Sequence, residues 1–148
     1  MHLLGITQHP TGEWILNALR SAPMDGMPLA TRKYWIHDND GKYPRKRMQQ
    51  LLSDRGMEST PTIPYTPDMN AYAERFIRSI REECFDSIIF MTEAMLLEAT
   101  TTYFQHYNSE RPHQGIGNVP VSPWVPGTGE IICDTQMHGL LKSFRRAA

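Results

Sequence analysis

Two stretches decide the reading of this chain: Ile36-His-Asp-Asn-Asp-Gly-Lys-Tyr43 and Asn70-Ala-Tyr-Ala-Glu-Arg-Phe76. The first follows a run rich in aromatic and branched residues, Lys33-Tyr-Trp-Ile-His37, which reads as a short strand, so Asp38 stands at a strand's carboxyl end. The second lies inside a helical pattern beginning near Thr66-Pro67, where Thr can cap and Pro is tolerated at the first helical position. Between Asp38 and Glu74 lie 35 residues, enough for a helix and a strand that could return the second carboxylate to the first.

Working outward, Pro44 to Gly56 has helical spacing, with Met48, Leu51 and Leu52 on one face and Gly56 as an end signal. Met57 to Ile63 alternates and reads as a strand, and Pro64-Tyr-Thr-Pro67 as the turn that stops it. Upstream, His2 to Thr7 reads as a strand, and Thr11 can cap a helix through Leu19 that carries Trp14, Ile15, Ala18 and Leu19 on one side. The loop 22–29 separates it from the strand that ends at Asp38. Downstream, the helix that begins near Thr66 is expected to reach Asp86, and a second long helix runs from Thr92 to about Tyr107, with Ala94, Leu97, Thr101 and Phe104 along its stripe. The order of strands and helices predicts an α/β sheet with helices on its faces. Residues 118–148 hold three prolines before Gly127 and read as a Pro/Gly-rich linker and tail following a domain at 1–117.

A chain of 148 residues with a formal charge of −1 is not a polycation, so any nucleic-acid contact must be local. Seven of the basic side chains, Arg45, Lys46 and Arg47 among them, fall within residues 31–56 against three acids. Cys84 and Cys133 form no metal-ligand pattern and no disulfide framework, which suits a reducing compartment. No apolar run approaches the ~20 residues needed to span a bilayer, so no membrane partner is expected and the reading is cytoplasmic.

Two carboxylates from a strand end and a helix suit a hard cation such as Mg²⁺, which takes oxygen ligands and retains waters or substrate phosphates. Two such ions about 3.5–4 Å apart can activate a nucleophile and stabilise a leaving oxygen in phosphoryl transfer. Asn70, Glu74, Arg78 and Arg81 share one helical face, which would put two cations beside the carboxylate. Plainer readings stand beside these: Asp38-Asn-Asp-Gly41 as a simple turn, and Glu74 as a solvated residue paired with Arg78 at i+4. Trp14, Trp35, Tyr103 and Phe104 read as core, His37 as structural or near a phosphate, and Cys84 as a small buried apolar residue.

Taken together, the blocks His2-Leu-Leu-Gly-Ile-Thr-Gln-His-Pro-Thr-Gly-Glu-Trp14, Ile36 to Tyr43, Asn70 to Phe76, Arg81-Glu-Glu-Cys-Phe-Asp86 and Tyr107-Asn-Ser-Glu-Arg-Pro-His-Gln-Gly115 resemble the integrase-type (DDE) transposases of bacterial insertion sequences. The resemblance implies a ribonuclease H-like integrase core with a helical C-terminal part. It implies DNA as partner, DNA integration and transposition as activity, and Mg²⁺ or Mn²⁺ held by three acids. Asp38 matches the second acid and Glu74 the third, with Asp40 a turn residue. Arg78 and Arg81 match positions facing the DNA end, Asn70 a supporting position, and Arg45, Lys46 and Arg47 further DNA contacts. By the same resemblance the family's first acid lies on a strand preceding the one at His2 to Thr7, with another strand between. The core is therefore expected to be incomplete, lacking its first two strands and the first acid, N-terminally truncated, and inactive as an enzyme. The alternative is a non-catalytic DNA-binding remnant that pairs with full-length transposase as a dominant inhibitor. A homodimer and a place near the bacterial nucleoid are implied by the same likeness.

Overall fold

The computed structural model describes residues 2–22, 32–63 and 66–147. The chain divides into two compact units, residues 4–75 and residues 76–148 with 1–3. Elements of both kinds occur in each half of the chain, as an α/β reading requires.

In the first unit, helix α1 (Gly12–Ser21) starts where Thr11 accepts a hydrogen bond from the Trp14 amide at 3.2 Å. This satisfies one of the donors that every helix leaves free at its amino end. Its buried side is centred on Leu16 and Leu19, with Ile15 packed at the margin, so the apolar face is rotated from the one expected around Trp14 and Ala18. Strand β1 (Tyr34–His37) crosses through helix α2 (Arg45–Ser53) to strand β2 (Glu58–Pro61), and the two strands pair in parallel, Tyr34 opposite Glu58 and His37 opposite Pro61. A parallel pair needs such a crossover because its strand ends lie at opposite edges. Met48 and Leu52 of α2 meet Leu16, Leu19 and Met57 in one apolar cluster, with Trp35 and Tyr43 against it. Gly56 adopts φ +72 in the turn from α2 into β2, a conformation that favours glycine.

The segment His2 to Thr7, expected as a strand, forms no ladder: among the described residues β1 pairs with β2 alone. Apolar sequence favours a strand, but a strand exists only with a partner for its backbone groups. Pro64 and Tyr65 of the expected turn, and most of the loop 22–29, lie outside the described residues. Thr66 does not cap an α-helix. Its hydroxyl donates to the Ile63 carbonyl at 2.5 Å, and Pro67–Asn70 form a 3₁₀ turn ahead of helix α3 (Ala71–Glu83). That helix stops at Glu83, short of Asp86, and a second 3₁₀ turn covers Phe85–Ser87.

In the second unit, helix α4 (Glu93–Ser109) begins at Thr92, which accepts from the Met95 amide at 3.2 Å. Its buried residues are Ala99, Thr100, Tyr103, His106 and Tyr107, while Ala94, Leu97 and Thr101 of the expected stripe are exposed. The face is chosen by aromatic packing on α3: Phe76 lies 4.7 Å from Phe104 and 4.9 Å, edge-on, from Tyr107. Phe76, Ile80, Cys84, Tyr103 and Leu141 complete the cluster. The region expected as a tail contains an antiparallel hairpin, β3 (Ile131–Gln136) with β4 (Leu141–Arg146). It is held to α4 by Glu110, which accepts from Gln136 at 2.7 Å and from Ser143 at 2.9 Å. The alternation in 131–136 and 141–146 is real, but the prolines and glycines ahead of it masked its strand character.

Candidate functional site

The carboxyl end of the parallel pair is where the first candidate acid sits. β1 ends at His37, and the chain turns outward through exposed Asp38, Asn39 and Asp40. Three residues, His37, Asn39 and Asp40, fix this turn. The His37 ring is buried between the strands, its Nδ1 2.6 Å from the Asp38 carbonyl oxygen and its Nε2 3.0 Å from the Ser59 hydroxyl. Asn39 donates to the Thr62 carbonyl at 2.6 Å, tying the end of β1 to the end of β2. Asp40 accepts from the Lys42 amide at 2.9 Å and its carbonyl from the Tyr43 amide at 3.2 Å, as a turn residue does.

Tyr43 is the residue that sequence inspection missed. Its ring lies 5.0 Å from the His37 ring, and its phenol stands close enough to the Asp38 carboxylate to feel that charge. Burial, first, and then the negative charge of Asp38 hold the Tyr43 phenol above its ordinary range. The signal available in the sequence was the five-residue spacing from Asp38 to an aromatic hydroxyl, just long enough for a turn to fold back.

The 3₁₀ turn at Pro67–Asn70 lies against β1, and the Ile63 amide reaches the Met69 sulfur at 3.4 Å. The start of α3 therefore approaches the strand ends that carry Asp38. Glu74 follows within the first turn of α3, about 6 Å along the axis from Asn70 at 1.5 Å per residue. Asn70 belongs to the 3₁₀ turn rather than the helix, so the regular face holds Glu74, Arg78 and Arg81 only. All three are exposed, and none pairs with a described residue: the Glu74–Arg78 ion pair allowed by their spacing is not formed.

The basic run on α2 is partly committed. Arg47 is paired with Glu13 of α1, whose carboxyl is held below its usual range by that hydrogen bond. Arg45 donates to Asn39 at 3.3 Å and so braces the acid-bearing turn, while Lys46 is exposed and without a described partner.

Hard oxygen donors are the right chemistry for Mg²⁺. Among the described residues, however, no three His, Cys, Asp or Glu side chains gather closely enough to hold a metal ion. Asp38 and Glu74 by themselves do not complete a two-metal centre.

The block Tyr107 to Gly115 is used structurally. Arg111 grips Glu83 through Nη2 at 2.6 Å and Nε at 3.0 Å, Tyr103 donates to the same carboxylate at 2.9 Å, and the Arg111 guanidinium lies over the Tyr107 ring. His113 packs edge-on against Tyr107, its Nε2 2.8 Å from the Tyr107 carbonyl oxygen.

Comparison of sequences shows what the chain resembles. Residues 55–120 match the family of the integrase core domain, which implies a ribonuclease H-like fold. Proteins named from insertion elements are similar to the chain. An uncharacterized 39.2 kDa protein of insertion element IS476 from Xanthomonas euvesicatoria is 28% identical over 111 residues, 74% of this chain and 31% of that protein. The putative transposase InsD for insertion element IS2E of Escherichia coli (strain K12) is 29% identical over 104 residues, 68% of this chain and 42% of that protein. Transposase InsD for insertion element IS2A/D/F/H/I/K of Escherichia coli is likewise 29% identical over 104 residues, 31% of its own length. By these matches the chain is similar to integrase-type transposases of insertion elements. It spans about a third to two fifths of the length of these curated relatives. No solved structure is significantly similar to it. No helix among the described residues is long and apolar enough to cross a membrane.

Proposed function

We propose that this chain is a catalytic-core segment of an insertion-element transposase whose partner is DNA, with Asp38 and Glu74 as the acids it contributes to a metal centre. The observation that carries this reading is the return of α3 to the strand end bearing Asp38, through the Asn39–Thr62 bond and the seating of the 3₁₀ turn on β1. In this reading Arg78 and Arg81, exposed and unpaired among the described residues, meet DNA phosphates, and Asn70 and Tyr43 orient the acids. Residues 1–117 form the core part, to which the C-terminal hairpin is appended.

In this reading, a chain that contributes only these two acids has little or no strand cleavage of its own. DNA held without turnover, or a pairing with full-length transposase that blocks it, is the second reading, favoured by the free cations of α3. The test is Mg²⁺- or Mn²⁺-dependent nicking and strand transfer on DNA carrying element ends, run beside a binding assay. Binding without nicking is expected, reduced on Arg78→Gln/Arg81→Gln. Nicking that disappears on Glu74→Gln would overturn the inactive reading and support the acid assignment; nicking that survives both Asp38→Asn and Glu74→Gln would remove the site.

A further inference from the structure

The hairpin carries a second surface that the acids and α3 do not explain. Alternation along β4 buries Leu141 and Ser143 and exposes Lys142, Phe144 and Arg146 on the opposite side. Phe144 is 70% exposed, which is unusual for a phenyl ring on a regular strand. Cys133 faces it across the ladder, and Ile131, 65% exposed, pairs with Arg146. The two cations stand two residues either side of the ring, ~7 Å away along the strand.

The charge on this face has one sign. Glu130 and Asp134 have the opposite parity on their strand, and Asp134 is occupied by Arg145 at 2.6 Å. Lys142 has no described partner, and Arg146 donates only to the Gly129 carbonyl, at 3.2 Å, so its charge is not neutralised. An apolar partner would have to desolvate both cations, whereas a polyanion with flat aromatic faces suits all three side chains. An exposed ring between cations is the physical pattern of a platform for unstacked bases, with phosphates gripped on either side.

We infer that the outer face of the β3–β4 hairpin, through Phe144 flanked by Lys142 and Arg146, is a binding site for single-stranded nucleic acid. It rests on nucleic acid being the partner of this protein but requires neither Asp38, Glu74 nor the α3 arginines. The stacked ring supplies affinity indifferent to base identity, and the cations make it dependent on salt. An extended strand fits better than duplex, because paired bases keep their faces hidden in the stack.

The experiment is fluorescence anisotropy of the full chain with a labelled 12-nucleotide oligo-dT and with a 12-base-pair duplex, across a range of salt. Phe144→Ala should weaken oligo-dT binding about 5- to 150-fold, the span of one lost base–aromatic stack, and Phe144→Trp should retain it. Lys142→Gln/Arg146→Gln should flatten the slope of log K against log salt by roughly 1.4, for two phosphates on a single strand. Arg78→Gln/Arg81→Gln should weaken duplex binding and Phe144→Ala oligo-dT binding, so failure of the α3 reading and of this one are told apart. Unchanged oligo-dT binding in Phe144→Ala, or no oligo-dT binding by the parent chain, overturns the inference. So does a sedimenting dimer that Phe144→Ala converts to monomer, which would make the face a contact between copies.

Discussion

Replacing Glu83 with Gln keeps the shape of the side chain but removes the charge on which Arg111 and Tyr103 converge. In the folded chain the carboxylate accepts from Arg111 at 2.6 Å and 3.0 Å and from Tyr103 at 2.9 Å, with Glu83 34% and Arg111 28% exposed. Fully exposed pairs contribute about 0–1 kcal/mol, and breaking a fully buried one costs about 3–5 kcal/mol. One-third exposure places the expected loss between them, about 2 kcal/mol. For a chain of this size that lowers the melting temperature by roughly 4–8 °C. Burial pushes the Glu83 carboxyl up, but the hydrogen bonds from Arg111 and Tyr103 outweigh it and hold it below its ordinary value of 4.5. A carboxyl depressed by folding stabilises the native state fully above that value and loses the contribution as pH falls through its folded value. Melts followed by circular dichroism should therefore show the full gap between parent and Glu83→Gln at pH 7, narrowing below about pH 4.5 as Glu83 takes up the proton that Gln mimics. A gap under 1 °C at pH 7, or one that stays constant down to pH 2, would refute the reasoning.

Glu110→Ala should release the hairpin from α4, since it removes the acceptor of both Gln136 and Ser143; amide hydrogen exchange across 131–146 should quicken at least tenfold while α1 and α2 are unaffected. Leu16→Ala, at a position with no exposure in the first unit's core, should cost about 2–5 kcal/mol, read from urea unfolding. Of the two free thiols, exposed Cys133 should react promptly with a disulfide reagent at pH 8, while Cys84, whose thiol burial pushes upward, should react only on unfolding; two equally fast thiols would contradict the packing of α3 on α4.

The sequence by itself determined the local elements whose causes are local. Thr11 and Thr92 name the starts of α1 and α4 because a cap needs only a hydroxyl beside its own first turn. The strand ending at Asp38, the α2 crossover and its buried Met48 and Leu52 follow from short-range periodicity in the same way. The candidate acids were visible by spacing and resemblance, and so were Arg78 and Arg81.

Tertiary structure decided what depends on a partner distant in sequence. His2 to Thr7 has the composition of a strand but no described neighbour to complete its ladder, and Ile131 to Arg146 became a hairpin because each strand supplied the other. The buried side of α4 could not be read from its own sequence, whose apolar residues are spread around the helix; Phe76 on α3 and Leu141 on β4 selected it. The same holds at the acids. Only folding shows that Tyr43 reaches back to Asp38, that Asn39 ties the two strand ends, and that Arg47 is occupied by Glu13 while Arg78 and Arg81 have no described partner. Hydrogen bonds and ion pairs are satisfied by whichever group packing brings within about 3 Å, and that choice is made by the core, not by neighbours along the chain.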